Sequence, residues 1–432
     1  MKEKISIFWF RRDLRWNDNV ALFNALNSNL KVLPIFIFDP DILNKLNKED
    51  HRVSFIYDRI SELNLEIGSV NTFINIHYEK PLVVFKKIIS DFDIDTVYCN
   101  VDYEPFARKR DLEVENYLIK FKIKFKQFKD QVIFEKNEVL KKDLTPYKVY
   151  TPYSKAWICN YESSDLNNYP SELLLNNLLS SMKVNDFTLN DMGFQKSRLV
   201  NEDFNISLDL IDSYEEKRNF PSLNSTSKIG VHLRFGTISI RDLVKKAHSS
   251  NNHTFLKELI WREFYMHIIW FYPHTVNQSF KAKYDNIKWR NDLQEFKKWC
   301  DGETGYPLVD AGMRELNSTG FMHNRVRMVV ASFLCKHLLI DWRLGEAYFA
   351  EKLFDYELSS NVGNWQWVVG SGVDAAPYFR IFNPETQIQK FDKNYNYIKK
   401  WVPEFNTNKY SVKIVDHKFA RERCLNEFKS IQ

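Results

Sequence analysis

The chain has 432 residues, 44% hydrophobic and 27% charged, with a formal net charge of +5. That length suits two or three domains, and the composition excludes a disordered, collagenous or disulfide-stapled chain. The mild positive balance permits a polyanionic partner without demanding one. The five cysteines (Cys99, Cys159, Cys300, Cys335, Cys424) lie far apart without metal-ligand spacing, which fits a reduced cytoplasmic compartment and no metal site.

The first apolar run, ISIFWF at Ile5–Phe10, is too short for a secretory leader, and Arg11 and Arg12 follow it. No later run reaches the roughly 18 apolar residues of a membrane span. Three more short β-rich runs follow: Val32–Phe38, Phe73–Tyr78 and Thr96–Val101. Stretches with helical spacing separate them, Arg52–Leu63 among them. Near-continuous apolar strands alternating with helices predict a parallel sheet covered on both faces, a Rossmann-like α/β domain over residues 1–130. Ligands of such sheets bind beyond the strand carboxyl ends. Here WFRRDLRWNDN follows the first strand, and no GxGxxG fingerprint marks a standard dinucleotide site.

Residues 131–204 are polar and read as an interdomain connector with one docking patch, YTPYSKAW at Tyr150–Trp157. Over 205–432 helical spacing takes over, as in Phe255–Phe271 and Val326–Leu339, and eight of the 11 tryptophans lie between Trp261 and Trp401. This part predicts an all-helical domain.

Four stretches of it carry polar groups on apolar faces. In TSKIGVHLRFG, Thr226 and Ser227 precede a short helix start, a pattern that offers hydroxyls and free N–H groups to phosphate. In ELIWREFY, Glu258 and Trp261 share a helical face at i, i+3. In GFMHNRVRM, Asn324, Arg327 and Met328 share another, and a guanidinium there needs a compensating partner. In NWQW, Trp365 and Trp367 lie roughly 200° apart around a helix and serve different surfaces.

WFRRDLR with NDN, TPYSKAW, ELIWREFY, GYPLVDAGMREL, MHNRVRM, NWQW and DAAPYFRIFNPETQ run in the order of the photolyase/cryptochrome family. The chain resembles that family along nearly its whole length, most closely the bacterial class I cyclobutane pyrimidine dimer photolyases. The resemblance implies an N-terminal sheet domain, a long connector and a C-terminal helical domain that binds FAD without a covalent link. It implies light-driven transfer of one electron from reduced FAD to a pyrimidine dimer in UV-damaged DNA, opening of the ring and return of the electron. A monomer with no membrane association is the family default.

Site roles follow by match. Tyr214, Thr226, Ser227, Lys228, Ile229 and Gly230 resemble the flavin phosphate and ribose cradle, with Gly230 where the family usually has Ser. Asp355, Tyr356 and Glu357 resemble the segment along the flavin ring edge, with Glu357 where Asp is common. Arg327 is expected to pair with Asp355, and Asn361 to lie near flavin N5. Glu258, Trp261, Asn324, Met328 and Trp367 match the dimer pocket. Arg218, Arg325 and Gln387 match DNA contacts. Trp365, Trp342 and Trp289 match a relay of indoles that photoreduces the flavin. With substrate bound, an indole-walled pocket would desolvate Glu258 and favour its neutral, hydrogen-bond-donating form.

Relatives with other activities differ at named positions. The (6-4) photolyases carry a His pair where His323 and Asn324 stand. Single-strand-specific DASH proteins share Gly320-Phe321-Met322 and usually have Gln at the place of Met328. A cryptochrome-type blue-light sensor would not need the dimer pocket, and a cofactor-free binding module would not need the flavin residues. A second, light-harvesting chromophore in the sheet domain is compatible with the family. Folate-binding relatives carry an Asn-Glu pair where Phe106 and Ala107 stand, so its identity stays open between a deazaflavin, a flavin and none.

Overall fold

The computed structural model describes residues 2–67, 72–164, 166–180 and 187–431. Two compact units emerge from its Cα packing. The first comprises Met1–Val139, Trp157–Glu202 and Ile229–Lys246; the second comprises Leu140–Ala156, Asp203–Lys228 and Ala247–Gln432. The boundaries expected from sequence, 1–130, 131–204 and 205–432, give way to this interleaving. The expected connector is divided between the units, and 165 and 181–186 within it lie outside the described residues. Single apolar anchors explain the difference. Leu178, Leu189, Met192 and Phe194 are buried in the first unit although their neighbours are polar, and Leu179 donates its N–H to Val32 O at 2.8 Å. The patch at Tyr150–Trp157 is the start of a 13-residue helix, Tyr150–Glu162.

The first unit holds a parallel five-stranded sheet in the order β3-β2-β1-β4-β5. Its strands are β1 (Lys4–Phe10), β2 (Lys31–Phe38), β3 (Asn75–Tyr78), β4 (Asp93–Asn100) and β5 (Lys124–Phe128). All four neighbouring pairs are parallel, as near-continuous apolar runs require. Central β1 buries six of its seven residues, with Ile5, Ile7 and Trp9 packed against Ile35, Phe85, Val97 and Leu118. Edge strand β5, KFKQF, has no fully buried residue and carries no apolar run to read.

Beyond the carboxyl end of β1, WFRRDLRWNDN uses its charges inside the unit. Arg11 pairs with Asp111 at 2.6 Å. Arg15 grips both oxygens of Asp130 at 2.8 Å, and Arg241 reaches Asp130 at 2.9 Å and Asp18 at 2.8 Å. Burial alone would push the Asp130 carboxyl up, but Arg15 and Arg241 outweigh it and hold it below its usual range. Asn100 donates to Asp13 at 2.6 Å and to Asn19 at 2.8 Å. Asn19 in turn caps the helix Val20–Leu26 by accepting from Leu22 N.

The second unit is helical around one apolar core. Helix Thr254–Phe271 crosses helix Leu358–Val369 so closely that a Cβ on Gly363 would lie 2.2 Å from the Tyr265 ring. Helix Trp342–Lys352 approaches the same helix at Gly345, where a Cβ would lie 2.2 Å from the Trp365 indole. The segment Val326–Leu339, expected as one helix, is an α-helix only over Asn324–Ser332 and then widens into a π turn over Phe333–His337. Among the described residues no helix is long and apolar enough to cross a membrane. Nor does any group of three or more His, Cys, Asp or Glu there offer a metal site.

Removing one partner of a buried ion pair strands the other charge. Asp130→Ala should therefore cost about 3–5 kcal/mol of stability, read as a lower urea midpoint; a loss under about 1 kcal/mol would show that Arg15 and Arg241 find other compensation.

Candidate active site

The side chains singled out in sequence are set by a few helices of the second unit. On helix Thr254–Phe271, Glu258 pairs with the Arg218 guanidinium. Burial works against the Arg218 charge and Glu258 outweighs it, leaving the guanidinium pKa above its ordinary value. The Glu258 side chain is 36% exposed. In the free protein Glu258 therefore faces a cation and solvent. One turn on, Trp261 lies flat against Tyr150, ring centroids 3.7 Å apart and planes 6° apart. Arg262 reaches the buried Glu357 at 3.3 Å.

Helix Asn324–Ser332 begins at His323, whose ring nitrogen accepts from Arg325 N at 3.2 Å. Asn324 is exposed, and Arg327 and Met328 are half-buried. The compensation expected for Arg327 is present: it pairs with Asp355 at 2.9 Å and donates to Met322 O at 2.7 Å. Arg325 donates to Asn219 at 2.6 Å, lies 4.5 Å from the Phe391 ring centroid and approaches the Met328 sulfur at 3.7 Å. Lys228 and Arg327 both lie over Phe321, at 6.0 and 5.8 Å.

Asn361 donates to the Glu346 carboxyl at 2.9 Å and to its backbone oxygen at 3.2 Å. Tyr356 also hydrogen-bonds Glu346, and burial pushes that carboxyl up against both bonds. Glu346 thus ties together two of the expected flavin residues. It was absent from the expected site residues, as was Arg262, and Tyr150 was expected only as the start of a docking patch. For Glu346 and Tyr150 the signal is a long-range contact; Arg262 stood beside Trp261 in ELIWREFY.

The indoles divide as their spacing requires: Trp365 is buried and Trp367 half-buried. Trp365 packs edge-on against Phe349 at 5.0 Å and Trp299 at 6.3 Å. Trp342 is buried, with Arg343 4.9 Å above its ring, and Trp289 is half-buried. Tyr214 meets Phe255 edge-on at 5.2 Å. Gln387, expected to touch DNA, is buried, because the phase of helix Pro384–Phe391 turns it inward with Ile388.

The phosphate expectation also changes in detail. Helix Gly230–Phe235 has only six residues and Ile229 at its N-cap, with no side-chain cap. Thr226 and Ser227 do not cap it. Residues 226–228 belong to the second unit, and Ile229 and Gly230 open a helix counted with the first. Lys228 is left-handed at φ 54°, and Ser227 O accepts from Asn205 N at 3.0 Å.

The chain as a whole is similar to known proteins. The family described as the FAD-binding domain of DNA photolyase matches residues 255–409, and DNA photolyase matches residues 6–170. The deoxyribodipyrimidine photo-lyase of Alkalihalophilus pseudofirmus is 34% identical over 99% of this chain and 98% of its own. That of Escherichia coli is 34% identical over 98% of each. The chain belongs to the DNA photolyase family. Its chemistry is light-driven DNA repair, and its cofactor is FAD. Among solved structures, a bacterial class III photolyase from Agrobacterium tumefaciens superposes with a TM-score of 0.88 at 32% identity, covering 100% of this chain and 98% of that one. An archaeal photolyase from Sulfolobus tokodaii, solved with two FAD molecules, superposes at 0.82 and 31% identity over 98% and 99%.

The residues fit a flavin dinucleotide. Asp355 Oδ1 is buried without a hydrogen-bond partner in the protein, although Oδ2 is held by Arg327. A buried acceptor of that kind suits a polar ligand edge. Denaturing the purified, light-protected protein should release free FAD; protein that stays colourless after reconstitution would contradict this.

His323 makes the site's helix start pH-sensitive. Burial first, then Arg327 and Arg325, push its imidazole down from 6.5 to about 4. The unfolded chain therefore takes the proton first. Stability from this group is complete above 6.5 and is lost as pH falls towards 4. Near pH 5 the loss should be about 2 kcal/mol. His323→Asn keeps a capping acceptor and should flatten that part of the fall in urea stability between about pH 7 and about pH 5.

Proposed function

We propose that this photolyase repairs cyclobutane pyrimidine dimers in UV-damaged DNA, acting as a cytoplasmic monomer. The observation that carries the reading is Glu258 and Trp261 one turn apart on helix Thr254–Phe271, both half-buried and accessible. A carboxylate and an indole on one accessible face suit a base turned out of the stack, as base-flipping enzymes, photolyases among them, require. Trp367 on helix Leu358–Val369 is the proposed second wall, and Asn324 and Met328 on helix Asn324–Ser332 the floor.

FAD, when bound, supplies the electron that light drives onto the lesion. The protein's own groups hold and tune that place. Arg327 and Asp355 cancel each other's charge. Glu346 holds the amide nitrogen of Asn361, which leaves the amide oxygen as the group's acceptor. Tyr214, Thr226, Ser227, Lys228, Ile229 and Gly230 remain the proposed phosphate and ribose contacts, with Asp355, Tyr356 and Glu357 at the ring edge. Arg218 and Arg325 are the proposed phosphate contacts; in the free protein Glu258 and Asn219 hold them, and DNA would exchange for those partners. Gln387, being buried, acts on DNA only through its neighbours. A second chromophore in the first unit would harvest light for this site.

A spectroscopic repair assay on a dimer-containing oligonucleotide tests the reading. Wild type should restore pyrimidine absorbance under blue light. Glu258→Ala should lower repair per absorbed photon more than Glu258→Gln, which keeps hydrogen-bonding capacity, with an unchanged flavin spectrum. Flavin-loaded protein that photoreduces but repairs no dimer would favour a light sensor.

Trp365, Trp342 and Trp289 are the proposed photoreduction relay, running from two buried indoles to a half-buried one. Trp289→Phe should stop light-driven flavin reduction and spare repair by chemically reduced enzyme. Loss of both with folding intact would assign Trp289 a structural role.

A further inference from the structure

We infer that Tyr150 is a positioning residue of the lesion pocket: lying flat on one face of Trp261, it fixes that indole and leaves the opposite face for an unstacked base. The inference rests on the reading of Trp261 as a wall of that pocket. The stack is close and parallel, 3.7 Å between centroids with 6° between planes. Such contact along the whole ring removes one face of the indole from solvent and from substrate.

Tyr150 is itself anchored from three sides. Its hydroxyl donates to Lys257 O at 2.7 Å, a carbonyl on the helix that carries Trp261. Burial first, with Glu258 adding, raises the phenol's pKa well above its ordinary value, so the donor stays protonated. Its backbone N–H donates to Asp374 Oδ2 at 3.0 Å. Phe264 closes edge-on at 5.9 Å. Asp374 lies just past the second proposed wall, where Ala376 N donates to Trp367 O at 3.2 Å. One tyrosine is therefore bonded to the helix of the first indole and to the segment beside the second.

Trp261 remains half-buried although Tyr150 covers one face and Phe264 and Tyr265 close on it at 5.7 and 5.5 Å. Part of the ring therefore stays accessible, and the face that Tyr150 covers is not that part. Without Tyr150 the indole would have to be ordered at the moment of binding, and ordering one such side chain weakens affinity by up to about tenfold. Undamaged duplex, which keeps its bases stacked, would not register the difference.

The test measures affinity of the flavin-loaded protein for a dimer-containing and an undamaged oligonucleotide, and repair per absorbed photon at saturation. Tyr150→Leu should weaken dimer binding about tenfold, leave undamaged binding unchanged and leave saturated repair unchanged. Tyr150→Phe keeps the stack and should stay within about twofold of wild type. If Tyr150→Leu lowers flavin content, Tyr150→Met, closer in volume, carries the same test. Trp261→Leu is the control arm, and adding Tyr150→Leu to it should weaken binding no further. If Trp261→Leu keeps its preference for the dimer, the pocket reading fails. If Trp261→Leu loses that preference while Tyr150→Leu and Tyr150→Met keep it, the pocket stands and the role given to Tyr150 is overturned.

Discussion

A half-buried guanidinium needs a compensating partner, and in the second unit Arg327 finds Asp355 at 2.9 Å. The pair joins helix Asn324–Ser332 to the segment that leads into helix Leu358–Val369. Neither partner could stay in place alone, because a charge half withdrawn from water costs more than the fold gains from the helix contact. The same economy recurs around it. Arg262 meets Glu357, Arg218 meets Glu258, and Asn361 meets Glu346. Each bond also fixes the geometry of a side chain in the proposed cofactor and lesion site.

The first unit applies that rule more deeply. Asp130 and Arg15 are almost fully buried, and Arg241 completes the cluster from a segment far along the chain. Such a cluster adds little net stability beyond an apolar core of the same volume, but it is intolerant of losing one member. It also occupies the polar segment after β1, where parallel sheets offer ligands their crevice. The charges of that segment hold the sheet's end together.

Strands β1, β2 and β4 were legible because burial on both faces demands near-continuous apolar runs, here short and bounded by polar turns. β5 was not, because an edge strand with solvent on one side tolerates Lys and Gln. Phe194 was missed for a related reason: a single apolar residue among polar ones has no period. The need for a partner at Arg327 could be read from helical spacing, whereas the roles of Glu346 and Tyr150 could not. Their contacts join segments that only the tertiary fold brings together, and a lone Glu or Tyr carries no local mark of that. The Arg218 partner of Glu258 was equally illegible, because it comes from elsewhere in the chain.

The discontinuity of the first unit bears on how the chain is made. Its sheet is finished once β5 is synthesised, yet Asp18 and Asp130 receive Arg241 only when the chain has grown past residue 241. Until then Asp130 has one arginine where the finished unit gives it two. A nascent chain emerging from the ribosome thus holds a strand-complete but electrically unfinished sheet while its next hundred residues are added. In a chain made vectorially from the N-terminus, the buried charge cluster is complete when Arg241 arrives rather than when the last strand does.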